Sequence, residues 1–185
     1  MSNLRKIVLK SIARNVCRLT GSKKPYRKIR GLARKSNKDF LKSNCHGFTV
    51  YMLGLNGGNS DSPKEKSSVD MDTFLTDYCY RSQEHNGLII AFREGDGFLD
   101  HTAISYPTPQ GTFMLHQLNR GSPFEITTLT SYLDKNPSLK TEASIEFHKY
   151  FPDGMNTSGY SSRPSFNPNF NPNFKPSCSP GLGPF

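Results

Sequence analysis

The sequence has no long apolar run and little cysteine. Hydrophobic residues make up 34% of its 185 positions, and no stretch approaches the ~18 apolar residues that a membrane-spanning helix requires. The four cysteines, at positions 17, 45, 79 and 178, are too few and too scattered to indicate a disulfide framework. They form no Cys-x-x-Cys pair or cluster with histidine that would indicate zinc. These absences favour one domain of ordinary size with tails, without structural disulfides or a metal site.

Acidic residues are absent from positions 1–38, which hold 13 of the 24 lysines and arginines. Within this segment apolar residues recur at helical spacing, and basic residues form a stripe beside them. The apolar positions are Leu4, Val8, Ile12, Val16 and Leu19, and the basic ones are Lys6, Lys10, Arg14 and Arg18. We interpret residues 1–38 as a flexible, basic, amphipathic arm that contacts an anionic membrane, a nucleic acid or an acidic polymer. The alternative is a helix that packs its apolar face on the domain.

Charges interrupt the apolar positions of this arm every few residues, which is not the pattern of a secretory signal. We therefore expect neither a cleavable signal peptide nor a transmembrane segment. This expectation leaves the location open between the cytoplasm and delivery by a signal-independent route.

Residues 154–185 are of low complexity, and the tetrapeptide "NPNF" occurs at 167–170 and again at 171–174. Repeated Asn-Pro with glycine and serine favours neither a helix nor a strand ladder, so we predict a disordered tail rich in Asn, Pro and Phe. Its phenylalanines are candidate docking points for a protein partner, and the alternative is a tail that is only solvated.

Residues 39–153 have the patterns of one globular α+β domain. We predict a helix from about 44 to 55, a second from about 69 to 81 and a short one near 131–135. Apolar and alternating runs predict strands at 88–93, 101–106, 112–118, 125–129 and 145–151, with a hairpin turn at 107–111. The first strand is apolar throughout, which is typical of a central strand.

Cys45 lies where the first of these helices begins, directly after a potential capping residue, Asn44. The free N–H groups and the positive dipole end of a helix favour a thiolate there, and they can also hold an oxyanion. A nucleophilic cysteine needs a base, and His101 and His116 are predicted to lie on adjacent strands and on the same face of the hairpin. These three residues are candidates for a nucleophile, a base and an orienting residue. The alternative is that all three are core residues.

The segments "NCHGF", "DHTAISY" and "FMLHQL" resemble, in this order, the motifs of NlpC-type papain-like cysteine peptidases, the bacterial cell-wall endopeptidases and amidases. The resemblance covers about residues 40–135. It implies a papain-like fold in which a nucleophile-bearing helix packs on an antiparallel sheet. It also implies that Cys45 is the nucleophile, His101 the base and His116 the orienting residue. The family usually has Asp before the cysteine and Ser after it, whereas this chain has Asn44 and His46.

The sequence thus predicts a monomeric thiol hydrolase that cleaves amide or peptide bonds through a thioester, with no metal or organic cofactor. The first candidate substrate is the stem peptide of peptidoglycan. One alternative is an effector-type enzyme, or toxin, that modifies a protein by deamidation or acyl transfer. The other is a non-catalytic binding module that keeps the fold.

Overall fold

The computed structural model describes residues 3–21, 23–34, 37–55, 62–137, 139 and 144–150. The helices are α1 (Asn3–Thr20), α2 (Lys23–Gly31), α3 (Cys45–Met52), α4 (Ser68–Tyr78) and α5 (Leu129–Lys135). The strands are β1 (Cys79–Ser82), β2 (Ile89–Arg93), β3 (Leu99–Thr108), β4 (Gly111–Gln117), β5 (Phe124–Thr128) and β6 (Ser144–Tyr150). Short 3₁₀ turns occupy Leu32–Arg34, Asn37–Phe40 and Glu84–Asn86. Within these ranges no helix has both the length and the apolar character needed to cross a membrane.

All six strands belong to one antiparallel sheet with the order β1-β6-β2-β3-β4-β5. The described part of the chain is therefore an α+β domain, as the sequence predicted. Because successive side chains of a strand point to opposite faces, the apolar run of β2 is buried on both sides of the sheet. Ile89 and Ala91 pack in the larger core cluster, whereas Ile90 and Phe92 pack in the smaller one.

The two faces of the sheet are covered by different helices. Residues of α1, α2, α3 and α4 join the larger cluster on one face, and Tyr132 of α5 joins the smaller cluster on the other. Between β3 and β4 the chain turns at Gly111, whose φ of 121° lies in a region that residues with a side chain rarely adopt. This tight turn sets the register of β3 and β4, in which Ile104 pairs with Leu115 at one end and Thr108 pairs with Gly111 at the other.

The predicted helices and strands of residues 39–150 agree with the structure to within a few residues, with one exception. The helix predicted to reach position 81 ends at Tyr78, and the next four residues form strand β1. Cys79 therefore begins a strand that pairs with Tyr150 of β6, a long-range contact that the local helical spacing does not show. The predicted tail, residues 154–185, lies outside the described residues.

The interpretation of residues 1–38 as a flexible arm is wrong for its described part, because α1 and α2 pack on the domain. Leu9, Ile12, Ala13 and Val16 of α1 are at most 2% exposed and belong to the larger core cluster. Ile29 of α2 is also fully buried in this cluster. Burial of this face in the core removes the apolar surface that insertion into a membrane would need. The alternative stated for the sequence, a helix packed on the domain, is the one observed.

Truncation of an α1 core residue should therefore destabilise the whole domain. Ile12 is 0% exposed and Ile7 is 62% exposed on the same helix. We expect Ile12→Ala to lower the free energy of unfolding by about 2–5 kcal/mol because it leaves a cavity. The matched control, Ile7→Ala, should change it by less than about 0.5 kcal/mol because the side chain is already in solvent. Urea unfolding followed by circular dichroism measures both values, and equal effects of the two changes would contradict the packing described.

Candidate functional site

The start of helix α3 is held by the side chain of Asn44. Its amide oxygen accepts hydrogen bonds from the N–H groups of Gly47 (2.9 Å) and Lys66 (3.2 Å). Its amide nitrogen donates to the carbonyl oxygen of Lys66 at 2.7 Å. Asn44 therefore caps the helix and at the same time ties its first turn to the segment that precedes α4, so the main chain of Cys45 is well fixed.

Gly47 allows the segment that precedes α4 to cross the first turn of α3 at close range. A Cβ atom built on Gly47 would lie 1.6 Å from the carbonyl oxygen of Lys64, closer than any side chain permits. The glycine of the "NCHGF" segment is thus required by the contact between two main chains, not by an unusual φ angle.

The thiol of Cys45 lies against strand β3, beside the main chain on both sides of residue 101. It donates a long hydrogen bond, 3.9 Å, to the carbonyl oxygen of Asp100. Burial raises the pKa of the Cys45 thiol, and the N–H groups of Thr102 and His46 near the sulfur oppose this rise. Cys45 is buried, with 8% of the residue exposed.

His101 of β3 and His116 of β4 are in direct contact on the opposite face from the larger core cluster. Nε2 of His101 lies 3.0 Å from Nδ1 of His116, and the two rings are nearly perpendicular. They are 3% and 1% exposed. Burial, followed by the nearby charge of His116, lowers the pKa of His101 well below its usual value, and burial lowers the pKa of His116 to about 4. Both rings are therefore neutral near pH 7.

Tyr132 of α5 packs on both histidines, a contact that was not predicted from the sequence. Its ring is stacked on His101 at 5.5 Å between centroids and meets His116 edge-on at 5.2 Å. Burial raises the pKa of Tyr132 to about 12, with smaller contributions from Asp100 and Cys45. Tyr132 thus closes over the two imidazoles. The only signal was an aromatic residue in a short helix after β5, which does not show which strands the ring covers.

His46, next to Cys45, has a positioning role in the helix–sheet contact. Its Nδ1 lies 3.1 Å from Thr102 Oγ1, and its Nε2 lies 3.1 Å from Ser68 Oγ. Thr102 Oγ1 in turn donates to Thr49 Oγ1 at 3.2 Å. Burial lowers the pKa of His46 to about 4, so its hydrogen bonds are those of a neutral ring. This network connects α3, β3 and the first residue of α4.

The structure brings His101 and His116 together, and it places the Cys45 thiol beside the main chain of β3 next to residue 101. His101 and His116 share a hydrogen bond, whereas the described hydrogen bond of the Cys45 thiol goes to a main-chain carbonyl of β3 and not to an imidazole. Among the residues that the structure describes, no group of three or more His, Cys, Asp or Glu side chains could hold a metal ion.

Comparison with known proteins adds no assignment. No family model matches the chain, and neither a curated protein nor a solved structure matches it.

Substitution of Gly47 tests the close contact between the first turn of α3 and the Lys64 main chain. Gly47→Ala places a methyl group on the Lys64 carbonyl, so we expect it to lower the free energy of unfolding by about 1–3 kcal/mol. The matched control is Gly31→Ala, because a Cβ at Gly31 meets nothing within 4 Å. This control should be neutral or slightly stabilising. Urea unfolding checks both, and a Gly47→Ala protein as stable as the Gly31→Ala protein would show that the crossing is not as close as described.

Proposed function

We propose that this protein is a cysteine-dependent hydrolase of amide or peptide bonds with a papain-like domain of the NlpC type. In this proposal Cys45 is the nucleophile, His101 is the general base and His116 orients His101. The observation that carries the proposal is the buried 3.0 Å contact between His101 Nε2 and His116 Nδ1, with the Cys45 sulfur beside the main chain of residues 100–102.

The hydrogen bond between the histidines determines which nitrogen can act on the thiol. Because Nε2 of His101 is engaged by His116, Nδ1 is the nitrogen left to accept a proton. A basic Nδ1 requires that His101 carry its proton on Nε2 and donate it to Nδ1 of His116. His116 then carries its own proton on Nε2, an atom that is buried and has no hydrogen-bond partner within the described residues. The unpaired N–H lowers the stability of the fold. It also fixes the tautomer of His116, which in turn selects the tautomer that His101 needs.

The reaction then follows from a neutral thiol and a neutral imidazole. Nδ1 of His101 takes the proton of the Cys45 thiol as the sulfur attacks the substrate carbonyl carbon. The amide C–N bond breaks, the same proton passes to the leaving amine, and a thioester to Cys45 remains. His101 then deprotonates a water molecule as its oxygen attacks the thioester carbonyl carbon. The C–S bond breaks, the acid is released, and His101 returns the proton to sulfur. N–H groups at the start of α3 are available to stabilise the oxyanion.

The first substrate that we propose is a stem peptide of peptidoglycan. Deamidation of a protein glutamine and acyl transfer to a protein also pass through a thioester to Cys45. They differ from hydrolysis of a stem peptide only in the acyl donor and in the acyl acceptor. The three reactions can be separated by product mass, since hydrolysis of a muropeptide, deamidation and acyl transfer change the mass of the product differently.

Two observations favour a different function, a non-catalytic binding module. The described hydrogen bond of the thiol goes to the Asp100 carbonyl, and burial raises the thiol pKa, both of which suit a resting core cysteine. Thiol reactivity distinguishes the two functions, because only the enzyme needs a base that acts on Cys45.

Alkylation should therefore be faster at Cys45 than at Cys79. Burial raises the pKa of Cys79 to about 12, and this cysteine is 4% exposed. We expect iodoacetamide at mildly acidic pH to modify Cys45 well before Cys79, because His101 assists removal of the proton. Peptide mass mapping gives both rates in one sample. In His101→Ala the rate at Cys45 should fall towards that at Cys79, and equal rates in the unmutated protein would argue for the binding module.

Turnover should separate the roles of the two histidines. The protein and its Cys45→Ala variant are first incubated with purified muropeptides and with a cell extract, and products are read by mass spectrometry. On the substrate found, His101→Ala should lose about 10²- to 10⁴-fold in kcat because it removes the base. His116→Asn should keep part of the activity because an amide can still hydrogen-bond the ring, and His116→Ala should fall between them.

The matched control is His85→Ala, since this histidine is exposed and lies in a 3₁₀ turn outside the site. Its turnover should be unchanged, and circular dichroism checks the folding of every variant. If His116→Asn is as inactive as His101→Ala while both are folded, the roles are assigned wrongly. If neither change affects turnover, the three residues are not a catalytic triad.

A further inference from the structure

A groove lined by basic side chains lies between helices α1 and α2, and the proposed hydrolase does not use it. The cavity has a volume of about 500 Å³. Two lysines of α1 and three arginines from α2 and the turn after it line the groove: Lys6, Lys10, Arg27, Arg30 and Arg34. All five are exposed to solvent.

Within the described residues, no carboxylate compensates the charge of this groove. No acidic residue occurs in positions 1–38. In the part of the chain that the structure describes, no carboxylate forms an ion pair with any of the five. Elsewhere in the fold arginines are paired, as Arg93 is with Asp72 and Glu146, and as Arg120 is with Glu65. Like charges that line one concavity repel each other, and a bound anion would remove this repulsion.

The shape of the groove favours a compact ligand. Its volume falls in the range of small-molecule sites, roughly 300–1,000 Å³. The cations come from two helices and converge on one concavity, whereas binding of a nucleic-acid backbone needs cations that follow an extended path. Gly31 lines the same groove, and a Cβ there would meet nothing within 4 Å, so space remains for a ligand.

Arginine and tyrosine side chains in the groove suit phosphate groups. The guanidinium of Arg30 lies 5.6 Å from the centre of the Tyr26 ring, which restricts its orientation. A planar guanidinium can donate two parallel hydrogen bonds to one phosphate, and three such groups can bind several phosphates of one ligand.

We propose that the groove between α1 and α2 binds a compact, multiply phosphorylated anion. Two sources present this chemistry, a soluble polyphosphorylated compound and the phosphorylated head group of a lipid. The proposal is independent of the hydrolase reaction, because the groove and the Cys45 region share no residue.

The test uses the full chain and inositol hexakisphosphate as the soluble probe, with titration calorimetry near physiological salt. We expect saturable binding of one ligand per chain. Gly31→Glu should weaken binding at least tenfold because it places a carboxylate in the groove. Its uncharged counterpart, Gly31→Gln, is the matched control for size and should bind within about threefold of the unmutated protein, given the open space at this position.

A second pair of variants tests position, because each of the two changes removes one positive charge. Arg30→Gln should weaken binding at least fivefold, whereas Arg14→Gln should leave it unchanged, because Arg14 is exposed on α1 but does not line the groove. Equal weakening by both changes, or no binding by the unmutated protein, would overturn the proposal.

Vesicles distinguish the two sources of the ligand. Vesicles with a bisphosphorylated phosphoinositide are compared with phosphatidylserine vesicles of equal charge density by co-sedimentation. Retention by the phosphoinositide alone, lost in Gly31→Glu, assigns a lipid head group. Binding of the soluble probe without vesicle retention assigns a soluble ligand. Retention on both vesicles regardless of the residue at 31, or tighter binding of an oligonucleotide than of the soluble probe, would contradict a compact phosphate site.

Discussion

The position of Cys45 depends on hydrogen bonds made by the residues on either side of it. Asn44 ties the first turn of α3 to Lys66, and His46 ties the same turn to Thr102 of β3 and Ser68 of α4. Buried polar groups stabilise a fold only when their partners are in place, so this network admits one arrangement of helix and sheet. The close crossing at Gly47 follows from the same arrangement. The thiol consequently reaches β3 beside residue 101.

The concentration of polar groups near β3 and β4 is costly for stability. His101, His116 and Tyr132 lie in or beside a small cluster that is otherwise built from apolar residues such as Phe92 and Met114. Burial lowers the pKa of both histidines, so charging either one works against the folded state. Apolar residues of similar volume would fill this space without an unpaired imidazole nitrogen. Groups buried at such a cost mark candidate functional sites, which is why we propose the chemistry here.

The N-terminal segment combines two physical roles on adjacent faces. Its apolar side, with Leu9, Ile12 and Val16, completes the core of the larger cluster. Its basic side meets α2 at the groove, where Arg30 lies over Tyr26. Because the apolar side is buried, any anionic partner is met by charge and hydrogen bonding alone and not by insertion of the helix.

The sequence by itself determined the features that depend on neighbours in the chain. The cap at Asn44 was predicted because capping acts within one turn, and His101 and His116 were predicted on one face because strands alternate with a period of two around a tight turn. Only the tertiary structure decided which distant surfaces meet. It placed Tyr132 on the two histidines, paired Cys79 with Tyr150, and packed α1 on the core instead of leaving it free. An amphipathic pattern indicates that one face of a helix is apolar, but it does not indicate what covers that face. The covering surface depends on the packing of residues far apart in sequence.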